Sequence, residues 1–125
     1  MLNFTNAKLI NSNLKSANLS FANLSGADIS YANLTDADLY GADLTNAILK
    51  QTILVRADLR NANYNIKDLV KCTDILGLKI TEDNQFINEM QILVKNGARI
   101  YGDSNIYDNS TTEVTKNYLD EDDIY

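Results

Sequence analysis

The chain has 125 residues and a net charge of −6, with 45% hydrophobic residues, a single cysteine and no histidine, proline or tryptophan. This length suits one domain of ordinary size, and the missing histidine excludes histidine proton shuttles, Ser-His-Asp triads and histidine metal sites. The lone Cys72 excludes an internal disulfide and a thiolate zinc site, so the composition does not indicate an oxidising compartment.

The N-terminal residues contain neither a basic segment nor a continuous apolar run, which a secretory signal would require. No run in the chain approaches the roughly 18 apolar residues of a membrane-spanning helix. We therefore expect a cytoplasmic protein that does not interact with a membrane.

An apolar residue recurs at every fifth position through the first half of the chain. The unit is Ala-(Asn/Asp)-Leu-x-x, as in Ala17-Asn18-Leu19 and Ala42-Asp43-Leu44. A helix requires a period of about 3.6 and a strand a period of 2, so a period of five fits neither. The apolar positions are Phe4, Leu9, Leu14, Leu19, Leu24, Ile29, Leu34, Leu39, Leu44, Leu49, Leu54, Leu59, Tyr64 and Leu69.

Three extended residues followed by a two-residue corner reconcile this period with a buried core. The extended part points Ala and Leu to one side and Asn or Asp to the other, and corner pairs such as Ser25-Gly26 and Thr45-Asn46 consist of turn-forming residues. Corners of about 90° would close a square coil of about 20 residues, and coils would stack at about 4.8 Å. The sequence therefore predicts a square solenoid filled by Leu and Ala.

The run Ala17-Asn18-Leu19-Ser20-Phe21-Ala22-Asn23-Leu24-Ser25-Gly26-Ala27-Asp28-Ile29 resembles the pentapeptide repeat family. The resemblance covers residues 2 to 70 in fourteen tandem units, or about 3.5 coils. It implies a mainly β fold, the right-handed quadrilateral β-helix, with the central Leu or Phe and the preceding Ala inward. It also implies a non-enzymatic protein, because most members of the family lack catalytic activity.

The C-terminal part departs from the repeat, so we divide the chain into a β-helix of residues 1–73 and a cap of residues 74–125. A helical stripe from Phe86 to Val94 predicts a helix over about 82–96 that covers the last coil, with Thr81 as N-cap and Gly97 as stop. Such a stripe indicates core more often than a partner groove. Residues 98–107 are compatible with a hairpin, and residues 108–125 form an acidic tail that contains a short helix or is disordered.

The N-terminal end of the stack has no predicted cap. The apolar side chains there would face water unless a second copy covered them across a two-fold axis. We therefore predict a homodimer through a stack end; the alternatives are a clipped chain or coverage by neighbouring molecules. The predicted dimer face consists of Leu2, Phe4, Leu9 and Leu14.

Apolar residues break the repeat at outward positions in the middle of the chain. Ile48 and Ile53 replace the usual Asn or Asp, and Val55 lies at a neighbouring outward position. They form either an exposed patch for a protein partner or a surface that the C-terminal segment folds back to cover, which we favour. A second predicted contact surface consists of Phe21, Tyr31 and Tyr40.

Charge separates two functional hypotheses. The family includes the Qnr quinolone-resistance proteins, which are proposed to mimic DNA and bind type II topoisomerases; a mimic should be acidic along its rod. Residues 1–73 carry seven basic and six acidic residues, a net charge of +1, and the remainder carries −7. We therefore favour a non-catalytic interaction or scaffold module of unknown protein partner over a gyrase-binding DNA mimic, and do not expect direct nucleic-acid binding.

The sequence gives little support for a catalytic or metal-binding site. Asp38, Asp43 and Asp58 occupy outward positions that Asn also occupies, and Cys72 lacks a histidine base, so burial is its simpler role. The spacing that starts at Asp103 lacks the glycine and glutamate of a calcium loop. The acidic run from Asp120 to Asp123 resembles a solvated tail with weak attraction for cations or a basic partner. We expect no cofactor, no metal and no catalytic residue.

Overall fold

A computed structural model describes residues 1–102, except for the side chain of Asn84. Within these residues the chain winds into stacked coils joined by single parallel bridges. Asn3 pairs with Asn23, Asn23 with Asp43, and Asp43 with Asn63, so that each coil consists of four repeat units. Equivalent bridges on the other sides of the coil begin at Lys8, Asn13 and Asn18. The five-residue unit therefore forms one of four sides, as its period predicts.

Each corner is a tight turn with a left-handed residue. The carbonyl of Leu34 accepts a hydrogen bond of 3.0 Å from the backbone N–H of Ala37, and Asp36 between them has φ of 61°. Type II turns require a positive φ at this position. The same corner recurs around each coil, including at Phe21 and Tyr31 with φ of 58° and 60°. The two-residue corners deduced from the sequence are thus present.

The Asn or Asp before each Leu stabilises the following turn. Asn23 Oδ1 accepts a hydrogen bond of 3.0 Å from the backbone N–H of Ser25, and Asp43 Oδ1 accepts one of 2.9 Å from Thr45. Asn and Asp present the same acceptor here, which explains why they exchange along the repeat. The repeated Leu and Ala side chains point inward, and the fully buried central ones include Leu24, Leu34, Leu39, Leu54 and Leu59.

The regular winding changes at the short helix α1, Ile66–Leu69. Its N-cap Asn65 accepts a hydrogen bond from the N–H of Lys67, and Ile66 and Leu69 are buried. The ladder step beyond the helix is longer by one residue than in the regular coils, because Ile53 then pairs with Asp74 and Asp58 with Lys79. The ladder therefore continues across the boundary predicted at residues 73 and 74.

The last described residues form two strands and a helix. Strand β1, Lys79–Thr81, leads into a 3-10 turn, Asn84–Phe86, helix α2, Ile87–Lys95, and strand β2, Arg99–Tyr101. The strands are parallel, with Lys79 opposite Arg99, so β2 continues the ladder of β1.

These elements modify the expected C-terminal layout. The 3-10 turn and α2 lie within the range predicted for one helix, 82–96. The first strand of the predicted hairpin, 98–107, is present as β2, but it pairs in parallel with β1. The second half of that hairpin and the acidic tail, 108–125, lie outside the described residues. Within residues 1–102 no helix is long and apolar enough to cross a membrane.

Candidate interaction surface

The outward carboxylates of Asp43 and Asp58 accept hydrogen bonds from the turns that follow them. The hydroxyl of Thr45, followed by its backbone N–H, holds the pKa of Asp43 below its ordinary value. For Asp58, burial raises the pKa, but hydrogen bonds from the Arg60 side chain and backbone outweigh it and leave the pKa lowered. A general acid at neutral pH requires a raised pKa, so these groups do not fit that role.

Cys72 lies at the junction between the repeats and the C-terminal part. Its Sγ is 3.7 Å from the carbonyl oxygens of both Leu49 and Asp68. Burial, followed by the charge of Asp68, raises the pKa of the thiol to about 12. The thiolate that nucleophilic catalysis or metal binding needs is therefore scarce at neutral pH. Among residues 1–102 no group of three or more acidic or cysteine side chains is placed to hold a metal ion.

One corner of the coil carries a continuous column of rings and a guanidinium group, which we call the aromatic corner: Phe21, Tyr40, Arg60 and Tyr101. The Phe21 and Tyr40 rings meet edge to face with centroids 5.7 Å apart. The Arg60 guanidinium lies 5.6 Å from the Tyr40 ring and 5.1 Å from the Tyr101 ring. Phe21 and Tyr101 remain 56% and 40% exposed. Three successive coils and, beyond the level of β1, the strand β2 thus contribute to one surface.

The packing of the aromatic corner holds its side chains in place. The Phe21 ring occupies the space that a side chain at Gly41 would need, since a Cβ there would lie 2.5 Å from Phe21 Cε1. The Asn61 side-chain amide donates a hydrogen bond to the Tyr40 hydroxyl. Arg60 also forms a 2.8 Å ion pair with Asp58. These contacts fix the rings and the guanidinium, and they leave Phe21 and Tyr101 exposed.

The residues predicted as one aromatic surface separate into two groups. Phe21 and Tyr40 share the aromatic corner, whereas Tyr31 lies two corners further along the chain from Phe21, where the Lys50 ammonium is 5.8 Å from its ring. Arg60 and Tyr101 were not predicted as members of this surface. Arg60 follows Tyr40 by one full coil, and this spacing could have identified it. Tyr101 joins only because β2 returns to the same side of the stack.

The three apolar residues of the predicted patch also occupy different surroundings. Ile48 is 48% exposed and lies in a depression of about 340 Å³ beside Lys50, Asp68 and Lys71. Ile53 belongs to the next side of the coil and is half-buried, with Asp74 as its ladder partner. Val55 is half-buried at the following corner. At Ile53, the later residue Asp74 extends the ladder by pairing with the Ile53 backbone; it does not cover the outer surface of Ile53.

The predicted dimer face forms the first coil. Leu2 is 47% exposed, and Phe4, Leu9 and Leu14 are partly buried, whereas the equivalent apolar residues from Leu19 to Leu59 are buried. These four side chains therefore share one end of the stack, as the repeat predicts.

Charge is divided sharply between the described residues and the remainder. Residues 1–102 contain ten basic and ten acidic side chains, whereas residues 103–125 contain one basic and seven acidic. The whole net charge of −6 thus belongs to residues 103–125. The stacked coils present a balanced surface.

Comparisons with known proteins agree with this architecture. A family model described as pentapeptide repeats matches residues 3–39 and 37–63 with eight copies. A comparison with curated proteins found no match. A pentapeptide repeat protein of the Arabidopsis thaliana thylakoid lumen has a similar structure, with a TM-score of 0.57 and 23% identity over 66% of this chain. The chain spans 56% of the length of that protein.

Two further solved structures are similar at lower scores. A pentapeptide repeat protein from Nostoc has a TM-score of 0.46 and 26% identity, over 79% of this chain and 84% of its own. The plasmid-mediated fluoroquinolone resistance protein QnrB1 has a TM-score of 0.42 and 22% identity, over 71% of this chain and 44% of its own.

The family match and the thylakoid-lumen structure show the fold as a right-handed β-helical solenoid, and the ladder step of four repeat units agrees with it. The resemblance deduced from the repeat is confirmed: through residues 3–63 this chain belongs to the pentapeptide repeat family.

Proposed function

We propose that this protein is a non-catalytic interaction module that binds a protein partner through the aromatic corner. The observation that carries the proposal is the stack of Phe21, Tyr40, Arg60 and Tyr101, with successive groups 5.1–5.7 Å apart. Phe21 and Tyr101 at its ends are exposed, and the two central groups are half-buried. Aromatic residues and arginine dominate the binding energy of protein interfaces. We place the protein in the cytoplasm, because its lone cysteine gives no indication of an oxidising compartment.

Rigidity is the second argument for this surface. The backbone N–H of Phe21 donates to Tyr40 O at 2.8 Å, and that of Gly41 donates to Arg60 O at 3.0 Å, so each level is tied to the next. Binding then orders few side chains, which reduces the entropic cost of association. A partner would meet a preformed ridge.

We also propose that the rod contains about 3.5 pentapeptide coils and that α2 closes its C-terminal end. Support comes from Met90, Leu93 and Val94 of α2, which are buried in the same apolar cluster as the repeat residues Leu54 and Leu59. A solenoid needs such an end piece because its last coil otherwise exposes apolar side chains and unpaired strand edges.

The test uses two substitutions at equivalent turn positions. Phe21→Asn removes the ring at an exposed residue with φ of 58°, and Tyr31→Asn does the same at φ of 60° on another corner. Asparagine tolerates this conformation, so both variants should fold. We expect affinity capture from host extract, followed by binding measurements on the captured protein, to show at least a tenfold loss for Phe21→Asn only. Equal binding by both variants, or equal loss, would refute the aromatic corner.

The gyrase-binding alternative predicts an acidic rod. The described residues have equal numbers of acidic and basic side chains. Along the coils, the exposed Arg56 pairs with Asp36 and the half-buried Arg60 pairs with Asp58. This balance is unlike the uniform negative charge of DNA. Inhibition of gyrase supercoiling at micromolar protein would establish the alternative, and its absence would remove it.

We also propose a homodimer through the first coil. The exposed Leu2 and the partly buried Phe4, Leu9 and Leu14 give an apolar end that a second copy could cover. Light scattering at tens of micromolar should give twice the monomer mass, and Leu9→Asp should restore the monomer mass. A monomeric mass for the unchanged chain would refute the dimer.

A further inference from the structure

We propose that residues 118–125 of this chain dock into the lysine-lined depression at Ile48. The segment reads Tyr118-Leu119-Asp120-Glu121-Asp122-Asp123-Ile124-Tyr125. The site is separate from the aromatic corner, so this inference does not depend on the proposed function.

The depression is lined by both apolar and charged residues. The apolar ones are Ala47, Ile48 and Leu49, and the charged ones are Lys50, Asp68 and Lys71. Its volume of about 340 Å³ is at the lower end of the roughly 300–1,000 Å³ that ligand pockets span. It can therefore accept a large apolar side chain while lysines contact neighbouring carboxylates.

Ile48 occupies the repeat position at which an Asn or Asp normally accepts a hydrogen bond from the following turn. At most equivalent positions, including Asn33 and Asp43, an Asn or Asp oxygen accepts the backbone N–H of the second residue onward. Isoleucine cannot accept that hydrogen bond, and 48% of Ile48 remains exposed. The turn loses its side-chain acceptor and the surface gains apolar area, which a bound apolar group would cover.

The charges around the depression favour an acidic occupant. Lys8 and Asp28 precede Ile48 in its ladder column. Lys50 and Lys71 line the depression with Asp68. Three lysines and two aspartates therefore lie in this column or line the depression, an excess of one positive charge. Contacts with exposed lysines should weaken as salt rises.

Residues 118–125 have the complementary composition. Four consecutive carboxylates are flanked by Tyr118-Leu119 on one side and Ile124-Tyr125 on the other. The fifteen residues 103–117 can extend to about 50 Å, whereas the stack rises only about 4.8 Å per coil. The segment can therefore reach Ile48 within the same molecule. We assign it as the occupant, in agreement with the expectation that the C-terminal segment covers Ile48.

Carbodiimide coupling of the full chain tests the contact, because it joins carboxylates directly to lysine amines that lie beside them. A mixture of ¹⁵N-labelled and unlabelled protein distinguishes links within one chain from links between chains. We expect links from Asp120–Asp123 to Lys50 and Lys71 within one chain, at least fivefold more abundant than links to Lys15. High salt before coupling should reduce them several-fold.

A pair of variants makes the test specific. Ile48→Asn removes the apolar side chain and restores a turn acceptor, so it should fold and should reduce the Lys50 and Lys71 links at least threefold. Ile53→Asn makes the same substitution on the next side and should leave them unchanged. The proposal is refuted by links spread evenly over the lysines including Lys15, by predominantly interchain links, or by links that Ile48→Asn does not reduce.

Discussion

The regular coils and the C-terminal part extend the same stack by different means. Up to residue 64, each side of a coil is a five-residue unit, in most cases with an Asn or Asp turn acceptor and an inward Leu. From residue 65 to Tyr101, α1 and α2 replace some of these sides, while β1 and β2 keep one side in ladder register. Both parts contribute to one apolar cluster. The comparison shows that the stack requires continuous apolar filling and a ladder on at least one side, but not the pentapeptide unit itself.

The largest effect should come from emptying the core in each part. Leu39 in the coils and Met90 in α2 are both fully buried. Replacing either with Ala should lower the free energy of unfolding by about 2–5 kcal/mol, measured by urea denaturation. If the parts share one core, both variants will unfold in a single transition. A separate early transition in Met90→Ala would show that α2 unfolds independently, and Lys15→Ala serves as the surface control.

Substituting two glycines compares the cost of a clash with a side chain and the cost of a clash with the backbone. A Cβ at Gly97 would lie 2.8 Å from Leu76 Cδ1 and 2.9 Å from Leu76 Cα, whereas at Gly41 it would meet only the Phe21 side chain closely. Both residues have positive φ. We expect Gly97→Ala to cost about 2–5 kcal/mol and Gly41→Ala about 1–2 kcal/mol, because the ring can move and the backbone cannot. The reverse order in urea denaturation would contradict this.

The two parts should also respond to opposite extremes of pH. In the C-terminal part, burial raises the pKa of Cys72 to about 12, from 9.0. This thiol contributes full stability below its unfolded pKa, and that stability is lost at higher pH by about 1.4 kcal/mol per pH unit between pH 9 and 12. Thermal unfolding should show this loss reduced in Cys72→Ala.

In the regular coils, stability depends on pH with the opposite sign. Hydrogen bonds lower the pKa values of Asp28 and Asp43 from 3.8, so their contribution is present above pH 3.8 and is lost as pH falls through the lower folded values. Asp43→Asn keeps the acceptor and should reduce the loss of thermal stability in acid. If Cys72→Ala and Asp43→Asn changed the loss of thermal stability equally in acid and in alkali, the assignment of alkali sensitivity to Cys72 and acid sensitivity to the coils would be wrong.

The smallest effect should come from the turn acceptors. Asn33 Oδ1 accepts the N–H and the hydroxyl of Thr35, at 3.0 and 2.6 Å, in a part-buried turn, and Asp74 Oδ1 accepts the N–H of Leu76 at 3.1 Å in an exposed one. Asn33→Ala should cost about 0.5–2 kcal/mol by analogy with helix caps, and Asp74→Ala less. Urea denaturation of Asn33→Asp should give nearly unchanged stability, since the acceptor remains. Equal costs for the two alanine variants would contradict the dependence on burial.

Much of the architecture followed from local rules. The period of five predicted the corners and the inward Leu and Ala, because each unit repeats the same short-range geometry. The helical stripe predicted 82–96, which differs by two residues at the start and one at the end from the 3-10 turn and α2 taken together. The parallel pairing of β2 with β1 was not predicted, since the chain between the two strands does not follow the repeat and the sequence does not show where it returns.

The candidate surfaces were predicted only in part. The apolar residue at position 48 was visible as a break in the consensus, and Phe21 and Tyr40 were visible as outward rings. The lysine lining at Ile48 depends on Lys71, which α1 brings to the depression, and this helix was not expected. Arg60 joins Tyr40 through the stacking of consecutive coils, a contact between residues far apart in sequence.

The sequence by itself determined the coil: a five-residue unit with an inward Leu and a turn acceptor can satisfy its backbone and bury its apolar side only by winding into four sides. Tertiary structure alone decided which outward residues meet. The one-residue shift at α1 and the return of β2 set the neighbours of Ile48 and Arg60, because contacts between levels depend on register, which the residues of a single unit do not encode.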